Sequence, residues 1–413
     1  MVQRYHALDS LRAVMMLLGI LLHSAVSYVT TIKGWGFQDS QTHPLYDLIV
    51  NVVHLFRMPI FFVMAGFFAA LLYYKRGLYK LMKNRFNRVA IPFVLFWLIL
   101  FPVIFAGFLF ANSYGSGHSL QEIQKGFLRF SLADIKTAHL WFLYYLMMIY
   151  VINGIAVSIR STKVQKYKKV VMKRFVRLMH SDYRVLVFAM LTLISLYPMR
   201  LGTLDTSAVP IPALKIIFAY LIYYTFGWLL FENRELLETF KSRIGLKLFL
   251  ACLLIPVNMY ATHQFIESEL MRNTFYHWLT MSTGVVIIWL MIFSITGLFL
   301  KYLNHFSPLG RYISDASYWV YLIHLPIIVW LSGLMSPLEI SPHIKFMINC
   351  TVATVLCFTS YHYLVRSTGI GKLLNGRTYP RSLPRQQVPL KATNYPLVNY
   401  QTKNANIKVE NNS

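Results

Sequence analysis

Six residues of this chain put a cationic or titratable side chain inside or at the edge of an apolar run: Arg12, His23, His54, Arg57, His139 and His324. Ionisable groups are costly in hydrocarbon, about 2.5–3.5 kcal/mol at a helix centre on insertion scales, so each needs a partner, water or a task. Arg12 and His23 share the first apolar run. At 100° per residue their eleven-residue separation leaves them about 20° apart around a helix and ~16 Å apart along it. His54 and Arg57, one turn apart, share a face of the second run. His324 falls halfway along the segment Ser317-Tyr318-Trp319-Val320-Tyr321-Leu322-Ile323-His324, with Asp315 at the inner end of that span. His139, which opens Leu140-Trp141-Phe142, is placed at the outer interface, where an aromatic belt is as good an explanation as a substrate contact.

A guanidinium at a cytoplasmic mouth with an imidazole further in suits a long ligand that has an anionic head and a reactive end. Acyl-coenzyme A has that shape. The same two residues are also explained by a basic anchor at Arg12 and a hydrogen-bonded bundle histidine at His23. Convergence of His23, His54 or Arg57, and His324 at similar depth on three helices favours a polar chamber.

The elements that must position them are transmembrane helices. Of the 413 residues 56% are hydrophobic and 13% charged, too little polarity for a soluble domain. Apolar stretches at 11–30, 45–74, 89–112, 139–158, 185–199, 214–231, 246–262, 277–300, 315–335 and 344–365 each approach the ~20 residues that cross a bilayer. The expected fold is therefore an all-α, polytopic bundle of about ten transmembrane helices. The N-terminal segment through Arg12, the connections 75–88, 159–184, 232–247 and 301–314, and the tail after 365 hold 31 of the 40 lysines and arginines. Such asymmetry puts both termini in the cytoplasm. The opposite connections, 31–44, 113–138, 200–213, 263–276 and 336–343, are too short to be separate domains. Residues 1–375 are read as one membrane-embedded domain and 376–413, with Pro380, Pro384, Pro389 and Pro396 among polar residues, as a disordered cytoplasmic tail.

Several classes are excluded. The net charge of +25 lies in loops between spans rather than in a basic domain, so no nucleic-acid partner is expected. Cys252, Cys350 and Cys357 all fall within spans, with neither a disulfide framework nor metal-ligand spacing, so no metal is expected. The first apolar run continues past His23 without a small-residue cleavage site and is read as a retained helix. Phosphate loops, dinucleotide fingerprints, hydrolase elbows and a glycosidase carboxylate pair are not found. With no internal repeat, a transporter built from symmetric halves is disfavoured.

Leu8-Asp9-Ser10-Leu11-Arg12-Ala13, with His23 following after ten residues, resembles the start of the acyltransferase-3 family of bacterial membrane acyltransferases. Three further segments match in order: His54-Leu55-Phe56-Arg57-Met58 running into Phe61-Phe62-Val63-Met64-Ala65-Gly66, then His139-Leu140-Trp141-Phe142-Leu143, then Ser317 to His324. Within the family the likeness is to a branch associated with succinylation of osmoregulated periplasmic glucans. The resemblance implies that Arg12 and His23 are essential, with His54, Arg57, His139 and His324 as further site candidates and Asp9 and Trp141 as substrate contacts. It implies a protein of the bacterial inner membrane, in contact with lipid, with acyl-coenzyme A as donor substrate, no bound cofactor, an extracytoplasmic glycan acceptor and glucan-synthesis proteins as partners. The donor's phosphates are expected near Arg12, Arg85 and Arg88, its thioester at His23, and the developing oxyanion at Arg57. A succinyl donor is favoured over O-acetyl transfer to lipopolysaccharide or another surface glycan. The readings outside the enzyme class are a glycan or anion transporter and a non-enzymatic sensor or assembly scaffold.

Overall fold

The computed structural model describes residues 5–31, 36–115, 135–159, 161–199, 203–267 and 274–382. Among these the chain is helical without strands: α1 His6–Ala25, α2 Pro44–Arg85, α3 Ile91–Gly115, α4 Trp141–Ser158, α5 Thr162–His180, α6 Arg184–Leu196, α7 Leu214–Glu232, α8 Ile244–Glu267, α9 Thr274–Tyr302, α10 Pro308–Met335, α11 Pro342–Ser360 and α12 Gly369–Asn375. Eight continuous helical segments are long and apolar enough to cross a membrane. One of them, Pro44–Tyr114, runs for 71 residues and joins α2 to α3 through a π-helical turn at Phe86–Ala90. A straight helix of that length would span roughly 105 Å, more than three times a hydrocarbon core. It is broken at Gly77, whose φ of 78° and ψ of 172° leave the helical region in a conformation that glycine adopts without a steric penalty.

Each of the ten expected apolar stretches coincides with a helix, although α6 has only 13 residues. Helix starts were written locally. Ser307-Pro308 and Ser341-Pro342 each provide an N-cap side chain followed by proline at the first helical position, and the two hydroxyls accept from Gly310 N and His343 N at 3.2 and 3.3 Å. The connection 159–184, expected as a loop, contains α5. Its apolar residues Val164, Tyr167, Val171, Phe175 and Leu178 recur at helical spacing, but intervening lysines hide them from a hydropathy scan; Phe175 is buried. The tail expected to begin at Gly376 remains against the bundle through Ser382, and residues 383–413, including Pro384, Pro389 and Pro396, lie outside the described residues. So does 116–134, most of the connection 113–138.

Hydrocarbon offers no hydrophobic drive between helices, so they associate through close backbone packing and interhelical hydrogen bonds. Both occur here. A Cβ on Gly66 of α2 would collide with the Tyr224 carbonyl oxygen of α7, and one on Gly227 with the Val63 carbonyl oxygen. This reciprocal contact brings the two backbones together, with Phe62 stacked on Tyr220 at 4.4 Å beside it. Buried Asn258 of α8 donates to Thr280 O and Thr283 Oγ1 of α9, both at 2.9 Å. Asn349 of α11 donates to Tyr28 Oη at 3.1 Å and Ser332 Oγ at 2.9 Å.

Segments expected on one side also meet one another. At one end Lys168 bridges Glu232 at 2.8 Å and Arg184 donates to Thr239 O. At the other, Asp47 accepts from Thr30 and Thr31, while Lys345 and Asp39, both fully buried, pair at 2.9 Å. Substituting leucine at Gly66 forces α2 and α7 apart, and overpacking of this kind costs about 1–3 kcal/mol. Gly66→Leu is expected to lower the thermal unfolding midpoint of the detergent-solubilised protein clearly; an unaltered midpoint would contradict the backbone contact.

Candidate active site

Three residues of α1 spaced by four, Met15, Gly19 and His23, form one stripe on its inner face. Each meets a neighbouring helix. Arg57 of α2 donates Nε–H to the Met15 carbonyl at 2.8 Å. Glycine makes room for Arg57 one turn on: a Cβ at position 19 would lie 2.6 Å from Arg57 Nη2 and 3.2 Å from His324 Nε2, so the guanidinium would have to move. One turn further the His23 ring lies beside His324, with centroids 5.2 Å apart.

His324 makes the centre of the group. Its Nδ1–H is shared between the carbonyls of Val320 at 3.0 Å and Tyr321 at 2.8 Å, which fixes the tautomer and leaves a lone pair on Nε2. That nitrogen is buried and has no hydrogen-bond partner among the described residues. On the other side of His324 stands His139, again with ring centroids 5.2 Å apart.

His139 corrects the sequence reading. Of the two readings left open for it, the interfacial belt does not fit, since His139 is 6% exposed and turned inward by the short 3-10 turn Ala138–Leu140. The reason lies in α10, where Pro326 has no N–H and so leaves the Leu322 carbonyl without its usual helical donor. His139 Nε2–H supplies that bond at 2.9 Å, and Tyr321 Oη–H donates in return to the His139 carbonyl at 2.8 Å. Nδ1 of His139 thereby keeps its lone pair, buried and without a partner among the described residues.

Four of the six candidates thus form one group: His23, Arg57, His139 and His324, at 9%, 6%, 6% and 0% exposure. His54 stands beside the group, within electrostatic reach of His23 and Arg57, but its Nε2 turns away to lie 3.3 Å from the Leu204 carbonyl, in the connection between α6 and α7. Trp141 likewise turns toward Tyr145 and Tyr220. Among the described residues no three His, Cys, Asp or Glu side chains form a metal cage.

Arg12 lies at the open end of α1, its side chain 38% exposed, 3.7 Å from Asp9 and 3.4 Å from Ser314 Oγ. Arg85 and Arg88 gather at the same end, and Arg88 is within electrostatic reach of Arg85, Arg12 and Arg377. Between this cationic mouth and the histidines runs a series of phenols that sequence reasoning missed. The Arg85 guanidinium covers the Tyr150 ring at 4.9 Å, Tyr318 donates to the Arg88 carbonyl at 2.9 Å, and Tyr318 stacks near Tyr321, with centroids 6.5 Å apart. Tyr321 then reaches His139. Tyr318 and Tyr321 lay inside the quoted segment, and Gly19 lay four residues before His23, so the signal was present as helical spacing.

The whole bundle, rather than a small motif, matches a known family: the model of an acyltransferase domain covers residues 5–362. The chain belongs to the acyltransferase-3 family. Among curated relatives, glucans biosynthesis protein C of Escherichia coli strain K12 is 25% identical over 392 residues, covering 91% of this chain and 95% of that protein. The proteins of the same name from E. coli O157:H7 and from strain 536 are also 25% identical, over 392 and 390 residues. No solved structure matches the chain. As a member of the acyltransferase-3 family it is an acyltransferase, and the buried imidazoles are groups able to move a proton in such a reaction.

Gly19 provides a direct test of the group's geometry. Gly19→Ala pushes the Arg57 guanidinium away from its position beside His324 without adding charge or polarity. Acyl transfer at matched protein abundance is expected to fall at least ~10-fold, since small displacements of positioned groups are costly in catalysis. Full activity would contradict the placement of Arg57 and His324 at this contact.

Proposed function

We propose that this protein transfers an acyl group, preferentially succinyl, from cytoplasmic acyl-coenzyme A to a hydroxyl of a periplasmic glucan, from a site inside the bacterial inner membrane. In this reading Pro44–Tyr114 makes two crossings turned at Gly77, α6 makes a short one, and ten crossings leave both termini in the cytoplasm. The observation that carries the proposal is the convergence of His23, Arg57, His139 and His324, joined by a line of phenols to an arginine-rich mouth. A pore needs no such concentration of fixed imidazoles. The curated relatives' name supports the acceptor, since each is a glucans biosynthesis protein.

The steps follow from the side chains. The donor enters with its phosphates at Arg12, Arg85 and Arg88 and its thioester beside His23. An acceptor hydroxyl attacks the thioester carbonyl and gives its proton to the His23 imidazole. The oxygen of the tetrahedral intermediate gains negative charge next to the Arg57 guanidinium, whose Nε is anchored on Met15 O. Collapse breaks the carbon–sulfur bond, and the imidazolium returns the proton to the departing thiolate. His324, with its tautomer set by Val320 and Tyr321, holds an Nε2 acceptor beside both groups. Asp9, 3.7 Å from Arg12, orients that arginine.

Membranes containing His23→Ala or Arg57→Ala protein at matched abundance, supplied with labelled succinyl- or acetyl-coenzyme A and glucan, test these roles. Loss of a proton-transfer group is expected to lower the rate by about 10²–10⁴-fold, and loss of an oxyanion partner by about 10²–10³-fold. Wild-type rates from either variant would remove its residue from the mechanism. Mass spectrometry of the product identifies the group transferred; an acetylated surface glycan in place of a succinylated glucan would replace the proposed donor and acceptor.

A further inference from the structure

The chain beyond α12 does not leave the bundle at once. Gly376 takes a left-handed φ of 74°, and a Cβ there would collide with Arg88 Nη2, so the turn brings backbone directly onto that guanidinium. Tyr379 N–H then donates to the Arg366 carbonyl at 2.9 Å, and Arg366 Nε and Nη2 donate to Pro380 O at 2.7 Å and Ser382 O at 3.1 Å. Arg366 is 1% exposed, with its guanidinium 4.7 Å above the Tyr312 ring and 5.3 Å from that of Tyr379. The Tyr379 hydroxyl accepts from Arg311 Nη2 at 2.8 Å and from Arg377 Nε at 2.9 Å. Residues 376–382 are therefore strapped across the ends of α10 and α11.

The strap adds positive charge to a place that already has it. Arg377 joins Arg85 and Arg12 within electrostatic reach of Arg88. Asp9 pairs with Arg12 and Asp315 with Arg311, at 3.7 and 3.0 Å, but no carboxylate among the described residues pairs with Arg85, Arg88 or Arg377. Arg85 Nε and Arg311 Nη1 are moreover buried without a hydrogen-bond partner among the described residues. Like charges gathered at a helix end repel, and buried guanidinium donors left open cost more still, so the arrangement is one that an anion with several acceptor oxygens completes. Exposed Arg377 has its guanidinium held by Tyr379, through Nε on the hydroxyl and at 4.9 Å from the ring, while no acceptor among the described residues takes its Nη donors.

We propose that the strap Gly376–Ser382 forms one wall of a polyphosphate-binding mouth, in which Arg377 and Arg88 grip the nucleotide phosphates of the donor and Arg366 and Tyr379 position the strap. This rests on the reading of acyl-coenzyme A as the donor. The ligand class follows from three neighbouring guanidinium groups, Arg85, Arg88 and Arg377, that no carboxylate among the described residues pairs, and from the polar line leading inward to His324. A lipid headgroup phosphate has the same chemistry but no thioester to deliver along that line.

The test uses the full-length protein in vesicles and two donors carrying the same acyl group, acyl-coenzyme A and acyl-pantetheine, which lacks the nucleotide phosphates. Arg377→Gln is expected to raise KM for acyl-coenzyme A about ten-fold with kcat retained, so that the preference for coenzyme A over pantetheine shrinks by the same factor. Tyr379→Phe, which removes the tether and keeps the ring, is expected to shift the preference in the same direction. An active wild type whose preference survives both substitutions overturns the strap's role and leaves the donor intact. A preference that survives while activity follows the anionic lipid content in wild type but not in Arg377→Gln assigns the arginine to lipid and overturns the proposal. A wild type that transfers from neither donor removes the donor reading and the strap together.

Discussion

Every backbone polar group within the hydrocarbon must find its partner inside the protein, and the shape of this site follows from that constraint. Pro326 removes one helical donor in α10, and the Leu322 carbonyl it leaves open is what draws His139 into the interior. Tyr321 then returns a bond to the His139 backbone, so the turn before α4 and the middle of α10 become one unit. Arg57 solves its own burial by donating to Met15 O of α1. Two unrelated needs, a broken helix and a buried guanidinium, are met by bonds that bring three histidines and an arginine to one place.

The same rule separates scaffolding from chemistry. The buried donors of Asn258, Asn349 and Lys345 are bonded to partners elsewhere in the bundle, as fastenings need, while the Oδ1 atoms of the two asparagines have no hydrogen-bond partner among the described residues. His324 Nε2 and His139 Nδ1 are buried on two rings in contact, their lone pairs without a partner among the described residues. Burying an acceptor without a partner works against stability. Two such atoms around one ring contact are difficult to explain as packing and simple to explain as places for a proton in transit. At the arginine-rich end the guanidinium groups without carboxylate partners play the corresponding part for an anion.

Much of this was legible in the sequence. Helix positions followed from length and hydropathy because the bilayer fixes both, and Arg12, His23, Arg57 and His324 stood out because charge in an apolar run is rare. Less legible were the residues whose role depends on another helix. His139 looked interfacial since it opens a span, and only the carbonyl freed by Pro326 explains its inward turn. His54 shares a face with Arg57 yet bonds to Leu204 O in a connection whose course the sequence does not reveal. Helix α5 was obscured by its lysines, and the docking of Tyr379 and Arg366 by the prolines around them. Gly19 carries no chemistry of its own, and its importance lies in the atom it lacks.

The central claim is that a single buried group of imidazoles joins a donor on one side of the membrane to an acceptor on the other. Purified protein reconstituted in a known orientation, with labelled acyl-coenzyme A and glucan supplied on chosen sides, measures this directly. Labelled glucan is expected when donor is on the face that exposes Arg12 and Arg88 and acceptor on the opposite face, and not when the two are exchanged. Equal transfer in the exchanged arrangement, or transfer only when both substrates share one face, would contradict a site reached from both sides of the bilayer.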